Sequence, residues 1–255
     1  MGQIFTVRLG RDHSAPAVRV HAPRQLPAAL RTLGLAFGRP TLVLVGGAGR
    51  VSEADRERLR PLFTRALAPV VGALEATVVD GGTDAGVMRL MGEAHAESGL
   101  RTPVVGVAAE GTIDLAGNGR QRADAARLEP HHTHFVLVPG QTWGDESVWI
   151  ARVAAAVAGP APSATLLVNG GTIARQDVAH SVAAGRRVLL VGGSGGTADA
   201  LAAALARTDT DSESAPLIRS GLLDVISLED GPAALARALR RGLQGAVPAA
   251  QHGEP

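Results

Sequence analysis

Four times in this chain, a short run of β-branched and aliphatic residues leads into a glycine-rich turn and then a helical pattern. The turns fall at residues 46–49, 81–86, 170–172 and 192–197. The second is the fullest. Val78 and Val79 end an apolar run, Gly81 and Gly82 free the backbone to bend sharply, and Thr83 or Asp84 stands where a helix cap belongs. Apolar strands alternating with helices predict an α/β fold with an open, mostly parallel sheet and helices on both faces. Right-handed crossovers put all such turns at one rim, the carboxyl ends of the strands, where ligands bind in such sheets.

Six such strands are expected in the core: Thr41 to Val45, Ala76 to Asp80, Pro103 to Val107, Phe135 to Val138, Thr165 to Val168 and Arg187 to Val191. Before them, residues 3–9 and 17–21 read as an N-terminal β-hairpin at a sheet edge, followed by a helix from Leu26 to Phe37. After them come a strand at Leu223 to Ser227 and an amphipathic helix from Gly231 to Leu243. Residues 1–244 are read as one domain, made of an N-terminal addition (1–40), a core (41–207) and a C-terminal strand and helix (208–244), with a flexible tail at 245–255. The helix from Glu53 to Leu74 is long and contains Pro61 and Pro69, either of which would bend it. Residues 109–130 interrupt the rhythm with a long loop, a kind that is usually functional or mobile.

Composition narrows the chemistry. The chain has no cysteine, which removes disulfides, thiolate metal sites and cysteine nucleophiles, and no lysine, which removes Schiff bases and the P-loop cation. Aromatic residues make up only 2% and the net charge is +1 with no basic stripe, so no nucleic-acid partner is expected. No signal pattern opens the chain and no apolar run has membrane-spanning length, so no membrane partner and a cytoplasmic location are expected. Apolar helix faces suit a homodimer or larger homo-oligomer, although periodicity alone does not separate a dimer seam from a core face.

Glycine turns at helix starts favour phosphate, because main-chain N–H groups and the helix dipole point at the ligand. The expected ligand-binding residues are therefore Gly46, Gly47, Ala48, Gly81, Gly82, Thr83, Asp84, Gly86, Gly170, Gly171, Thr172, Gly192, Gly193, Ser194 and Gly195. Gly47, Gly82, Thr83, Gly193 and Ser194 are the expected phosphate donors. The glycine spacing is not that of a strict dinucleotide fingerprint, so hydride transfer is not indicated. His132 and His134 would share a face if extended and would hydrogen-bond a phosphate or ribose oxygen. No carboxylate nearby in sequence completes a metal set, and no metal is expected. Asp199 would flank the sugar or base beside them, and Glu110, Asp145 and Glu146 are further partners for ribose hydroxyls or an adenine amine. Arg120, Arg122 and Arg127 have the fork geometry to clamp a diphosphate, or form a solvated charged loop.

The chain resembles the SLOG superfamily of Rossmann-like domains, in the branch found in TRPM channels and in prokaryotic stand-alone proteins. The resemblance is carried by Gly46 to Ala48, Gly81 to Met88, Leu128 to Phe135, Trp143 to Glu146, and Gly192 to Asp199, in order, over roughly residues 41–207. It implies a sensor for a nucleotide or an NAD-derived phosphate such as ADP-ribose, with no required cofactor. The superfamily also contains phosphoribohydrolases, which implies an alternative: N-glycosidic hydrolysis of a nucleotide in the same cleft, with Glu110 or Asp199 as the catalytic acid. The 192–197 turn lacks the proline of the hydrolase motif and carries an extra glycine, which counts against that activity.

Overall fold

The computed structural model describes residues 4–10, 13–47, 52–115, 125–207 and 213–245. Its strands are β1 (Ile4–Arg8), β2 (Ser14–Arg19), β3 (Thr41–Gly46), β4 (Thr77–Asp80), β5 (Val104–Ala109), β6 (His134–Val138), β7 (Ser163–Val168), β8 (Arg187–Gly192) and β9 (Leu223–Ser227). They form one sheet in the order β1-β2-β6-β5-β4-β3-β7-β8-β9. Only the β1–β2 pair is antiparallel; it is the expected edge hairpin, and β2 runs parallel to β6. The hairpin begins its second strand earlier than expected, at Ser14, because pairing continues out to Arg8 opposite Ser14.

Strand β3 has β4 on one side and β7 on the other. The chain therefore winds outward from β3 through β4, β5 and β6, then returns to β7 and winds the opposite way. The gap between β3 and β7 is the topological switch point, where the connections diverge and leave a crevice at the carboxyl rim.

The helices are α1 (Leu26–Thr32), α2 (Glu53–Leu62), α3 (Ala68–Ala73), α4 (Gly86–Glu97), α5 (Ser147–Ala158), α6 (Thr172–Ala183), α7 (Gly196–Ala206), α8 (Ala215–Arg219) and α9 (Gly231–Gln244). Strand side chains alternate between two cores. Val43, Val45, Val105 and Val107 face one layer, with Leu30, Val153, Val178 and Leu201. Leu42, Leu44, Val78 and Val104 face the other, with Phe63, Leu67, Met91 and Leu239. A third cluster under the hairpin joins Val7, Ala17, Phe135 and Leu137.

Three expectations are corrected. The first helix stops at Thr32, because Gly34 takes a left-handed φ of 81°. The single long helix is α2 and α3 joined by a π turn, Phe63–Leu67, between its two prolines. By its polar, acidic sequence Thr208 to Ala215 reads as a flexible surface loop; it gives way at Ala215 to the short helix α8, and residues 208–212 lie outside the described residues. Of the expected tail at 245–255, all but Gly245 also lies outside them. Among the described residues, no helix is long and apolar enough to cross a membrane.

Candidate functional site

A cavity of about 600 Å³ opens at the switch point. It is lined by Gly46 at the end of β3 and Gly47 beyond it, Gly81, Thr83 and Ala85 after β4, and Asn169 to Ala174 after β7. Thr112 and Ala126 border it from the long loop. That loop is pinned by pairing of Ile113 with Ala126 and of Thr83 with Leu128. Trp143, Glu146, Ile150 and Asp177 complete the wall between α5 and α6. Three of the four glycine turns thus share one hollow.

The fourth turn does something else. The first amides of α7 are already taken: Thr197 N–H donates to Gly170 O at 2.8 Å and Ala198 N–H to Asn169 O at 3.0 Å. Ser194 Oγ accepts from the Asn169 amide, and Asn169 Nδ2 donates to Ser194 O, both at 2.8 Å. These bonds hold Asn169 at a left-handed φ of 58°, a conformation that non-glycine residues keep only when their surroundings impose it. The turn at 192–197 braces the turn at 169–171. Gly192, Gly193, Ser194, Gly195 and Asp199 do not line the cavity, contrary to expectation.

Most of the expected phosphate donors are likewise occupied. Gly47 N–H donates to Val168 O, Gly82 N–H to Asp80 Oδ1, Gly193 N–H to Asp199 Oδ1 and Ser194 N–H to Val191 O. The first turn of α6 differs. It has no side-chain cap and no acidic residue, and its first amides have no intrahelical acceptor by construction. Gly171, Thr172 and Ile173, which carry those amides, all line the cavity. No basic side chain is among the described lining residues, so an anion here meets main-chain donors and the positive end of a helix dipole.

Gly81 and Gly82 have separate roles. A Cβ on Gly81 would stand in open space at the cavity wall. On Gly82, at φ 66°, it would come within 2.7 Å of the Gly106 Cα. Gly82 therefore serves close packing within the sheet, and Gly81 faces the hollow. Asp84 and Gly86 stand beside the hollow without lining it. Asp84 accepts from Arg89 Nε at 2.6 Å.

The histidines are corrected on geometry. His132 is not in an extended segment: it follows a turn in which its amide donates to Glu129 O. Its ring is wholly buried, with Nε2 2.8 Å from Asp80 Oδ1 and Nδ1 2.7 Å from Glu129 Oε2. Burial alone would lower its pKa, but the two carboxylates outweigh that and raise it to about 10. Burial likewise works to raise Glu129, and bonding to His132 and His131 holds it below the ordinary glutamate value. His132 is a fixed cation inside the fold and has no nitrogen left for a ligand. His134 begins β6, away from the carboxyl rim, and bonds Thr133. Among the described residues no cluster of His, Cys, Asp and Glu suits a metal ion.

Neither expected catalytic acid reaches the cavity. Glu110 pairs with Arg19 at 3.2 Å, and Asp199 accepts from the Gly193 amide at 2.6 Å. Asp145 accepts from the amides of Gln141 and Thr142, which hold its pKa down. Among the described residues the carboxyls in the wall are Glu146 and Asp177. Burial raises the Glu146 pKa against bonding by backbone amides. Burial pushes Asp177 up to about 7, against the pull of the Ser147 hydroxyl, and the nearby Glu146 charge adds a smaller push. Glu146 was among the ribose partners expected from sequence; Asp177 was not. A signal for it exists, because Asp177 lies on the stripe Ala174, Val178 and Ser181, the buried face of α6. Ala48, Arg120 and Arg122 lie outside the described residues.

Residues 39–237 match a family model described as SLOG in TRPM, prokaryote. The chain belongs to this family. As a SLOG domain it is similar to part of a transient receptor potential cation channel subfamily M member-like 2 of Nematostella vectensis, 32% identical over 133 residues, covering 44% of the chain and 9% of the channel. It is 25% identical over 202 residues to subfamily M member 2 of Mus musculus, covering 64% of the chain and 13% of the channel. The rat counterpart matches to the same extent. The SLOG chain thus spans roughly a tenth of the length of the curated relatives it matches.

Proposed function

We propose that this SLOG domain is a binding module for a nucleotide or NAD-derived phosphate of the ADP-ribose type, held in the cavity at the switch point. The observation that carries this reading is the uncapped first turn of α6, whose residues line that hollow and whose first amides have no hydrogen-bond partner among the described residues. A phosphate there satisfies donors that the described residues leave free. Trp143, 38% exposed at the cavity wall, offers a flat face on which a base can stack. The cavity lies within the 300–1,000 Å³ range typical of small-molecule sites.

The test is the melting temperature of the chain with ADP-ribose, NAD, AMP and cyclic ADP-ribose, each followed by chromatography of the ligand. A rise with unchanged ligand supports the sensor. Release of ribose 5-phosphate turns the reading toward N-glycosidic hydrolysis, and Glu146 and Asp177 then replace Glu110 and Asp199 as the acids to mutate. No rise with any of the four contradicts both readings.

A further inference from the structure

Trp143 and Glu146 belong to the same turn before α5, and both line the cavity. The Glu146 carboxylate folds back on that turn. Its Oε1 and Oε2 lie 3.2 and 3.1 Å from the Gly144 amide nitrogen, the atom bonded to the Trp143 carbonyl carbon. One shared N–H serves a carboxylate that has about four acceptor positions. The residue is only 8% exposed, and burial holds its pKa above the ordinary glutamate value, as befits an anion short of positive charge. A Cβ on Gly144 would stand 3.5 Å from Ile173 Cγ1, so this turn packs against the first turn of α6. The hollow thus sets an indole face and a carboxylate beside the main-chain donors of Thr172 and Ile173.

We infer that Trp143 and Glu146 form a subsite for a flat, positively charged ring, the pyridinium of an oxidised nicotinamide nucleotide whose phosphate lies on the first turn of α6. This rests on the function proposed above and names the ring that the same cavity selects. An indole face attracts a cation through its quadrupole, most strongly where water is excluded. A carboxylate beside it adds Coulomb attraction, which is stronger in a low-dielectric wall than in water. Asp177 adds a second carboxyl residue to that wall, and none of the described lining residues is basic. A neutral base such as adenine can stack on the indole but brings no charge to the carboxylate. Reduction of the nicotinamide ring removes both its charge and its aromaticity, so this subsite separates the oxidised nucleotide from the reduced one.

The experiment is calorimetric titration of the full chain with nicotinamide mononucleotide, its reduced form and AMP, with tryptophan fluorescence and absorption recorded alongside. It is repeated on Glu146→Gln and Trp143→Leu variants whose folding is checked by melting temperature. The wild type is expected to bind the oxidised mononucleotide at least about tenfold more tightly than the reduced form, as suits a desolvated cation over an indole. Quenched fluorescence and a new charge-transfer absorption are expected on binding, and both should disappear in Trp143→Leu. The preference for the oxidised form should shrink in each variant. Equal binding of the two forms by the wild type, or an undiminished preference in either variant, overturns the subsite. Binding of AMP without binding of the oxidised mononucleotide also overturns it and leaves the phosphate site standing. If the wild type binds none of the three probes, the subsite and the function it rests on fall together.

Discussion

His132 Nε2 lies 2.8 Å from Asp80 Oδ1, and both side chains are wholly closed to solvent. Asp80 Oδ1 also accepts from the Gly82 amide at 2.8 Å. One buried ion pair therefore ties the end of β4 to the segment entering β6 and fixes the bend at Gly81. His132→Leu would leave Asp80 without its charged partner in the interior, and Glu129 with His131 alone. Breaking a buried pair in this way costs about 3–5 kcal/mol, and urea unfolding is expected to show a loss of that order. Because the His132 pKa is raised from 6.5 to about 10, its contribution is complete below the lower value and fades as pH climbs through the higher one. Wild-type stability should decline over that alkaline window, and the variant should lack that part of the decline.

Asp177 works in the opposite sense. Its pKa is raised from 3.8 to about 7, so between those values the native chain holds a proton that the unfolded chain has released. Stability contributed by this group falls as pH rises through that window and stays low above it. Asp177→Asn removes the ionisation. The variant is expected to match the wild type at about pH 4 and to exceed it by roughly 2–4 kcal/mol at about pH 8, by chemical denaturation. Equal stability at both pH values would mean that the carboxyl is better solvated than its position implies.

The two glycines of the opening turn separate binding from folding. Gly81→Val places its branched side chain in the hollow, and should abolish nucleotide binding at little cost in melting temperature. Gly82→Val would collide with Gly106, and should lower the melting temperature by many degrees whether or not ligand is present. Circular dichroism melts beside calorimetric titrations distinguish the two effects.

Ser194 is expected to act at one remove. Ser194→Ala takes away the acceptor for the Asn169 amide and relaxes a left-handed residue at the cavity wall. A loss of about 1 kcal/mol in stability is expected, with weaker nucleotide binding although Ser194 lines no part of the cavity. Unchanged affinity would show that the 169–171 turn keeps its shape without that brace.

Much of this fold was legible because buried parallel strands write themselves as unbroken runs such as Thr41 to Val45 and Arg187 to Val191. Glycine turns after those runs marked the rim correctly. What they did not reveal was where each amide points. Gly82 and Ser194 carry the same local pattern as the turns that line the hollow, yet their N–H groups meet Asp80 and Val191. Asp177 was hidden for a related reason: it is a lone acid within a helix, and its significance appears only once the chain entering α5 places Glu146 in the same cavity wall. The His132 ion pair joins residues 52 positions apart, which no local pattern records.

The most direct measurement is a crystal structure of the chain soaked with ADP-ribose. The account predicts a phosphate within hydrogen-bond reach of the amides of Gly171, Thr172 and Ile173, with the rest of the ligand filling the hollow between β3 and β7. Ligand density at the start of α7, or on the outer surface of the sheet with that hollow empty, would contradict it.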